Sequence, residues 1–425
     1  MFCGLRKWIG VMVAICIAAS FYSFTHIKPY VSDSGEYFHA AHNLLYNNTL
    51  YSGNLNETLD FRLFSKRTLG YPLYLILQNS STIAITLSQI CLVVLNFVLG
   101  IFVLRKLKVG TKVFSLYGIF YCATLILFIH PYLFLSDLLL MTVVSLIVLV
   151  IIETRLYRKK DILLLALLWG AALLIKPIIL PSLLLIPLVG AYLLRRKISG
   201  TLYLTIPVLV WLLIGAHNYS NTKQFETSSI STINLTQYNA KLSIAHKYGF
   251  DSAQKYVESD VFIVPRNAAE YAGYKTHVKS YGLNAIKDNF KSYFKVHVLG
   301  MVKMAIDPGR FELYTFFGEP TSNVSLTELI FDGSWNELFK NLKTRPVLLS
   351  VFLLLTLVNL LKLLGLVGLF KTIDRWHLLI LGIIGYFIVI SGPVGAARFI
   401  LPATPICLVL VALGWSNLLQ KSPKS

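Results

Sequence analysis

Long apolar runs alternate with short basic loops along most of this 425-residue chain, and two longer polar segments interrupt the alternation. The runs approach the roughly 20 apolar residues that an α-helix needs to cross the hydrocarbon core of a bilayer. The pattern predicts ten membrane spans, near residues 8–27, 83–104, 113–130, 138–153, 162–176, 177–194, 201–219, 347–369, 376–392 and 398–418. We therefore expect an all-α, polytopic membrane protein.

The first apolar run is the one that could be mistaken for a secretory signal. It follows Arg6 and Lys7 and extends well beyond the roughly 7–15 apolar residues of a signal-peptide core. It then leads directly into charged and aromatic sequence. These features favour a retained span over a cleaved signal peptide.

The fifth and sixth runs meet at Lys176 and Pro177, which interrupt a nearly continuous apolar stretch. Proline lacks the backbone N–H that a helix interior requires, so it ends or kinks a helix. Two short spans and a re-entrant hairpin are both compatible with this pattern.

Composition agrees with a membrane protein, since 56% of the residues are hydrophobic and only 14% are charged, against roughly 25% charged in soluble domains. The net charge of +19 comes from basic clusters that recur at every second loop, as expected for cytoplasmic loops. The charge therefore indicates topology, with both termini cytoplasmic, and not binding to nucleic acid. The five cysteines lie in or beside apolar runs and predict neither disulfides nor a zinc site.

The two long polar segments, near 28–82 and 220–346, both fall on the external face of this topology. They divide the chain into an N-terminal membrane module (1–219), an external α-rich segment (220–346) and a C-terminal membrane module (347–425). The external segment contains a run with apolar residues every three to four positions, the helical period. The sequence has no glycine-rich nucleotide-binding motif, so we expect any chemistry at the external face.

The densest polar chemistry follows the first span, in the stretch SDSGEYFHAAHNLL that begins at Ser32. In one interpretation this is a juxtamembrane helix capped by Ser32 or Asp33, with Glu36 at capping-box spacing. In the other, Asp33 is a general base whose pKa is raised by partial shielding in the membrane. His39 and His42 together with Glu36 lack a recognised metal-binding pattern.

Further charges recur at the external ends of other runs. Arg62, Lys66 and Arg67 lie together in the first polar segment and could contact lipid headgroups or hold a lipid-linked phosphate. Asp137 and Arg398 lie where two later spans begin externally, and charges in such positions are costly unless they are paired or functional. With Lys176, all of these residues are predicted to converge on one face of the bundle.

These features together resemble the GT-C superfamily of polytopic glycosyltransferases, in the bacterial branch related to protein O-mannosyltransferases and lipid A aminoarabinose transferases. The resemblance rests on the order of five short motifs: SDSGEYFHAAHNLL, RTLGYPLYLIL, LSDLLL, GAALLIKPIILP and ARFILPATP. It implies transfer of a sugar from a polyprenyl-phosphate donor to a glycan, lipid or protein acceptor outside the cytoplasm, normally with inversion. The expected location is the external face of a bacterial inner membrane.

The resemblance also implies roles for individual residues. Asp33 is the expected base, Asp137 a second acidic group and Glu36 a helper. The residues expected to hold the donor phosphate are Lys66, Arg67, Lys176 and Arg398. The residues expected to line the substrate site are Tyr37, His42, Arg62 and Tyr71. No motif indicates a cofactor, and a divalent metal stays open without a motif to support it.

A transporter or flippase of lipid-linked glycans is the main alternative function. Such a protein would be expected to carry charges near the middle of the membrane and interrupted spans in matching halves. Here the acidic residues are predicted to cluster at one mouth of the bundle, and no paired halves are evident. The pattern therefore favours the transferase.

Overall fold

The chain is described by a computed structural model that covers residues 2–26, 31–154, 158–260, 264–318 and 346–420. Parts of the predicted segments, at 27–30, 155–157, 261–263, 319–345 and 421–425, lie outside the described residues. Within the covered ranges every regular element is a helix, and no β-strand is present. The predicted all-α class is confirmed.

Ten α-helices lie in the described ranges between residues 2 and 222. Their bounds are α1 Phe2–His26, α2 Ser32–Asn47, α3 Gly70–Leu77, α4 Thr82–Lys106, α5 Thr111–Ala123, α6 Ile126–Ile129, α7 Asp137–Thr154, α8 Lys159–Ile175, α9 Ile186–Arg195 and α10 Thr205–Thr222. The later helices are α11 Ile230–Asn234, α12 Lys241–Tyr248, α13 Phe250–Asp260, α14 Ala268–Asp288, α15 Phe290–Ile306, α16 Arg310–Phe316, α17 Pro346–Gly368, α18 Arg375–Ser391 and α19 Thr404–Leu419. Short 3₁₀ segments lie at Phe61–Phe64, His130–Tyr132, Pro177–Leu185, Thr201–Leu204, Leu369–Lys371, Gly392–Val394, Ala397–Phe399 and Leu401–Ala403, and a π-helical segment at Leu235–Ala240.

Several helices have the length and composition of membrane spans. In the described ranges seven stretches qualify: Arg6–Ser23, Thr82–Lys106, Pro177–Arg195, Thr201–Thr222, Leu349–Gly368, Arg375–Val394 and Leu401–Leu419. The count reaches eight if the bent pair α5 and α6 forms one span. These helices are typical of a multi-pass membrane protein. Helices α7 and α8, with 18 and 17 residues, are not among the seven, so the count of ten stays a prediction.

The predicted third span, near 113–130, is bent in the structure. The chain bends by 57° between Thr111–Ala123 and Ile126–Tyr132. The cause is local, because Thr124 leaves the helical conformation (φ −87°, ψ 74°) and its hydroxyl donates to the carbonyl oxygen of Phe120 (2.6 Å). His130 lies in the second part of this bent pair, Ile126–Tyr132.

The predicted interruption at Lys176 is confirmed. Helix α8 ends at Ile175, and Lys176 is extended (φ −153°, ψ 129°) before the 3₁₀ segment Pro177–Leu185. The Trp169 indole N–H donates to the Ser182 hydroxyl (2.7 Å) and holds this segment against α8. The break places the Lys176 side chain at the end of α8.

One large core unites the membrane modules. Buried apolar side chains of α1, α4, α5, α7, α8, α18 and α19 form a continuous cluster. Some of its polar groups are satisfied internally, since the Asn96 amide donates to the Thr142 hydroxyl (2.7 Å) and accepts from Ser145 (2.9 Å). Such bonds between helices satisfy polar groups that lipid cannot.

Residues 220–346, which the sequence predicts to be external and which we call the external segment, are helical in their described part. The predicted amphipathic run is divided between α14 and α15, which meet at Asn289. The Asn267 side chain caps α14 by accepting from the Glu270 backbone N–H (2.9 Å). The segment contacts the first external loop through α14, and this contact helps to position the site.

Helices α17 and α19 approach most closely where glycines face each other. A β-carbon added to Gly414 would lie 1.7 Å from the Gly365 carbonyl oxygen, and one added to Gly368 would lie 2.3 Å from the Gly414 carbonyl oxygen. Small residues permit such close backbone contact between membrane helices.

Gly414→Ala is therefore expected to separate α17 from α19 and to destabilise the protein by about 1–3 kcal/mol. The matched control is Gly382→Ala in α18, where an added β-carbon meets no atom within 4 Å. Thermal unfolding of both variants in detergent, followed by size-exclusion chromatography, measures the difference. Equal melting temperatures for the two variants would contradict the close contact.

Candidate functional site

Helix α2 positions the two acidic residues that follow the first span. It begins at Ser32 after Val31, whose side chain makes no capping hydrogen bond. The predicted cap by Ser32 or Asp33, with Glu36 completing a capping box, is therefore wrong. Asp33 instead lies in the first turn, where the helix dipole favours a carboxylate, and one turn later Glu36 shares its face.

Arg67 is the partner that these two carboxylates share. Its Nη2 lies 2.8 Å from Asp33 Oδ1, and its Nε lies 2.8 Å from Glu36 Oε2. The second Glu36 oxygen accepts from Lys66 Nζ at 2.7 Å. Arg67 is 7% exposed and lies over the Tyr37 ring, with 4.8 Å between the guanidinium carbon and the ring centre.

Two further ion pairs complete the arrangement. Arg398 Nη2 donates to Asp33 Oδ2 at 2.9 Å, and Lys176 Nζ donates to Asp137. The pairs adjoin, because Lys176 and Arg398 both lie over the Phe399 ring, at 5.5 and 5.1 Å. We call the group the ion cluster; its members are Asp33, Glu36, Lys66, Arg67, Asp137, Lys176 and Arg398. The structure thus brings together all the predicted acidic and phosphate-holding residues.

The charge balance of the ion cluster favours an anion. Four cationic side chains face three carboxylates, so the cluster carries one excess positive charge when all are ionised. Arginine pairs well with phosphate because its planar guanidinium can donate two hydrogen bonds.

The sequence-based expectation of a raised Asp33 pKa is wrong. Burial by itself raises the pKa of this carboxyl, but the guanidinium groups of Arg67 and Arg398 outweigh burial and hold the pKa well below its usual range. Asp33 is therefore fully ionised at neutral pH. Removal of either arginine would make it more basic.

An aromatic layer lies beneath Arg67. The Tyr37 hydroxyl hydrogen-bonds Ser136 (2.9 Å), and its ring meets Tyr71 edge-on at 4.8 Å. Tyr71 is completely buried and accepts a hydrogen bond from Gln89 (2.6 Å). Tyr71, predicted to line the substrate site, contacts the ring of Tyr37 and is fully buried. Tyr37 is the residue of the two that contacts Arg67.

His42 and Arg62 lie away from the ion cluster, contrary to prediction. His42 is nine residues after Asp33, which at about 100° per residue places it on the opposite face of α2. It is exposed, and its ring contacts that of Tyr46 at a tilt of 46°. Arg62 pairs with Asp60 (2.7 Å) and lies over Tyr274 of the external segment, at 5.6 Å.

The external segment holds the loop that carries Lys66 and Arg67. Glu226 accepts hydrogen bonds from Ser65 (2.6 Å) and Tyr271 (2.5 Å). Its second oxygen pairs with Lys275 (2.9 Å), and the Ser228 hydroxyl donates to the Lys66 carbonyl oxygen (2.9 Å). No sequence motif indicated this contact, because its members are separated by tens to more than a hundred residues.

A second group missed from the sequence lies beside Arg398. Asp307 accepts from the backbone N–H groups of Gly309 (3.0 Å) and Arg310 (3.1 Å), and its other oxygen accepts from Ala397 (3.2 Å). This carboxylate fixes the turn before Arg398. The signal available was Asp-Pro-Gly, a turn sequence.

A cavity of about 120 Å³ lies next to this turn. Asp307 and Ala397 lie at its lining, as do Asn359, Lys362 and Cys407, and the remaining lining is mostly apolar. Lys362 Nζ donates to the Asn359 amide oxygen (3.0 Å). The cavity is large enough for part of an apolar chain.

Metal binding has no support in the geometry: in the part of the chain that the structure describes, no three histidine, cysteine or acidic side chains are grouped to hold an ion.

A scan against models of protein families and a search of curated proteins both find no match for this chain. The GT-C resemblance therefore stays a prediction, supported by motif order alone.

The pairing of Asp137 with Lys176 gives a test of the ion cluster. Their side chains are 2% and 15% exposed, so Lys176→Gln would leave an uncompensated buried carboxylate and destabilise the protein by about 3–5 kcal/mol. Adding Asp137→Asn should recover part of this loss, which chemical or thermal unfolding of the double-mutant cycle would measure.

Lys106→Gln is the matched control, since it breaks the exposed pair with Glu153 and should change stability by less than about 1 kcal/mol. Additive losses for Lys176→Gln and Asp137→Asn would contradict the pairing.

Proposed function

We propose that the protein is a membrane glycosyltransferase that moves a sugar from a polyprenyl-phosphate donor to an acceptor at the external face. The observation that carries the proposal is the ion cluster, in which two arginines bracket Asp33 beside membrane-spanning helices. A lipid-borne phosphate and its sugar would be presented at this depth. The acceptor is a glycan, a lipid or a protein.

Donor binding would use the excess positive charge. The side chains of Lys66 and Arg398 are 21% and 20% exposed, whereas that of Arg67 is 6% exposed and lies deeper in the packed core. They would neutralise the phosphate, which becomes the leaving group. Preorganised donors of this kind stabilise charge that develops on a leaving oxygen.

Asp33 would act as the general base. An acceptor hydroxyl attacks the anomeric carbon, its proton passes to Asp33, and the bond from that carbon to the phosphate oxygen breaks. Polyprenyl phosphate leaves, and attack from the opposite side inverts the configuration. The donor phosphate would compete with Asp33 for Arg67 and Arg398, which raises the basicity of Asp33 when the donor is bound.

The other acidic residues would hold the cations in place. Glu36 orients Lys66 and Arg67, and Asp137 orients Lys176. The external segment would hold the first loop through Glu226 and offers a surface for the acceptor. The apolar cavity beside Asp307 would accommodate part of the polyprenyl chain.

Asp33→Asn is expected to lower sugar transfer by about 10²–10⁴-fold, because the base is lost while its shape is retained. Donor binding should be unchanged or tighter, since a carboxylate that competes for both arginines is removed. The measurement uses purified protein in nanodiscs, a panel of labelled polyprenyl-phosphate sugars and an envelope extract as acceptor. Asp251→Asn, an exposed acidic residue of the external segment, is the control.

Full transfer by a folded Asp33→Asn variant would reject Asp33 as the base. Failure of the wild type to release polyprenyl phosphate from any donor of the panel would reject the enzyme itself. In that case a proteoliposome assay tests the alternative, in which the protein moves the lipid-linked sugar between leaflets with no bond broken.

A further inference from the structure

Glu312 is a buried carboxyl group that the proposed reaction does not use. It lies on α16 and is 1% exposed, and both carboxyl oxygens are inaccessible. Neither oxygen accepts a hydrogen bond from another residue in the described ranges. Its neighbours Leu313 and Phe316 pack into the apolar cluster that surrounds Tyr37 and Tyr71. A buried, ionised carboxylate without hydrogen bonds is costly, so its environment favours the protonated form.

The charged groups around Glu312 include two members of the ion cluster, Asp137 and Arg398. Asp307, in the turn before α16, and Asp137, at the start of α7, act on it as like charges, while Arg398 acts as an opposite charge. Arg310 lies on its own helix. Burial raises the pKa of the Glu312 carboxyl to about 7, and Asp307 adds to this effect. The group therefore gains or loses its proton near neutral pH.

Arg398 connects this carboxyl to the ion cluster. It donates directly to Asp33, and Asp33, Asp137 and Glu312 together stabilise its charge, although burial opposes it. An anion that binds at Arg398 adds a negative charge near Glu312, because Asp307, in the turn before α16, accepts from the backbone N–H of Ala397, the residue before Arg398. Since like charges disfavour ionisation, the anion and an ionised Glu312 would destabilise each other.

We propose that Glu312 takes up a proton when a phosphodiester anion binds at Arg398. The inference rests on the proposed function for the location of the phosphate, and it adds a proton as a second ligand of the same site. By linkage, the anion binds more tightly where Glu312 is protonated, so affinity is highest well below pH 7 and falls as pH rises. A tenfold change in affinity corresponds to a shift of one unit in the Glu312 pKa on binding.

Asp33 is ionised before the anion binds, because Arg67 and Arg398 depress its pKa. A bound phosphate would also raise the basicity of Asp33, so the Glu312→Gln variant, which retains Asp33, shows whether Asp33 contributes to the uptake. His130 is the remaining neighbour to test: it lies at the end of the bent arm that packs against α16, is 1% exposed, and neither ring nitrogen has a hydrogen-bond partner among the described residues. A His130→Gln variant therefore separates the two candidates.

The test uses full-length protein in nanodiscs and a farnesyl methyl phosphodiester, whose single charge does not titrate between about pH 5 and 9. Calorimetry at pH 7 in two buffers with different ionisation enthalpies measures the protons taken up on binding. We expect fractional proton uptake and an affinity that falls about tenfold from pH 5.5 to 8.5 in the wild type and in His130→Gln. Glu312→Gln should show no uptake and nearly constant affinity.

Binding without proton uptake in the wild type would overturn the proposal and leave the donor site intact. Uptake that persists in Glu312→Gln, or disappears in His130→Gln, would assign the proton elsewhere and reject Glu312. Absence of phosphodiester binding at every pH would reject both this inference and the proposed donor site. The wild-type buffer comparison needs no variant, so absence of proton uptake would overturn the proposal even if Glu312→Gln fails to fold.

Discussion

The sharing of Asp33 between Arg67 and Arg398 is the interaction on which the ion cluster depends. It joins groups that are 34 and 365 residues apart in the chain, and it links α2, the first external loop and the start of the last membrane segment. A partly buried carboxylate near the membrane boundary is unfavourable alone, and so is a buried guanidinium. Each satisfies the other, and α2 is thereby fixed against the bundle.

The same pairing determines how the site can respond to a ligand. The two arginines keep Asp33 ionised and donate hydrogen bonds to its carboxylate. A phosphate that binds at these arginines must compete with Asp33 for them. The positive charge of Arg398 also limits the cost of burying Glu312 nearby. Charge in this region is therefore shared among several groups, and a new anion changes the protonation of its neighbours as well as their contacts. A base and a proton reservoir could operate together in such a site.

The sequence identified best those charged residues whose position in an apolar run would be unfavourable without a partner. Asp137, Lys176 and Arg398 interrupt apolar runs, where an unpaired charge is unfavourable, and the structure pairs all of them. His42 and Tyr71 were misplaced because proximity in sequence does not specify the face of a helix or the depth of a ring. Glu312 was missed because its segment, RFELYTFF, has the pattern of an ordinary amphipathic helix. The pattern does not show that Glu312 is buried in the folded protein.

The sequence by itself determined the helical class, the positions of most apolar helices, the break at Lys176 and the gathering of charges at one side. These follow from local rules: apolar length, proline chemistry and the alternation of runs and loops act within about 20 residues. Only the tertiary structure decided which charges pair, that Asp33 is held strongly acidic, and that Glu312 is buried beside Arg398. Those properties depend on distances and burial between groups far apart in the chain, because Coulomb and desolvation energies follow separation in space and not separation in sequence.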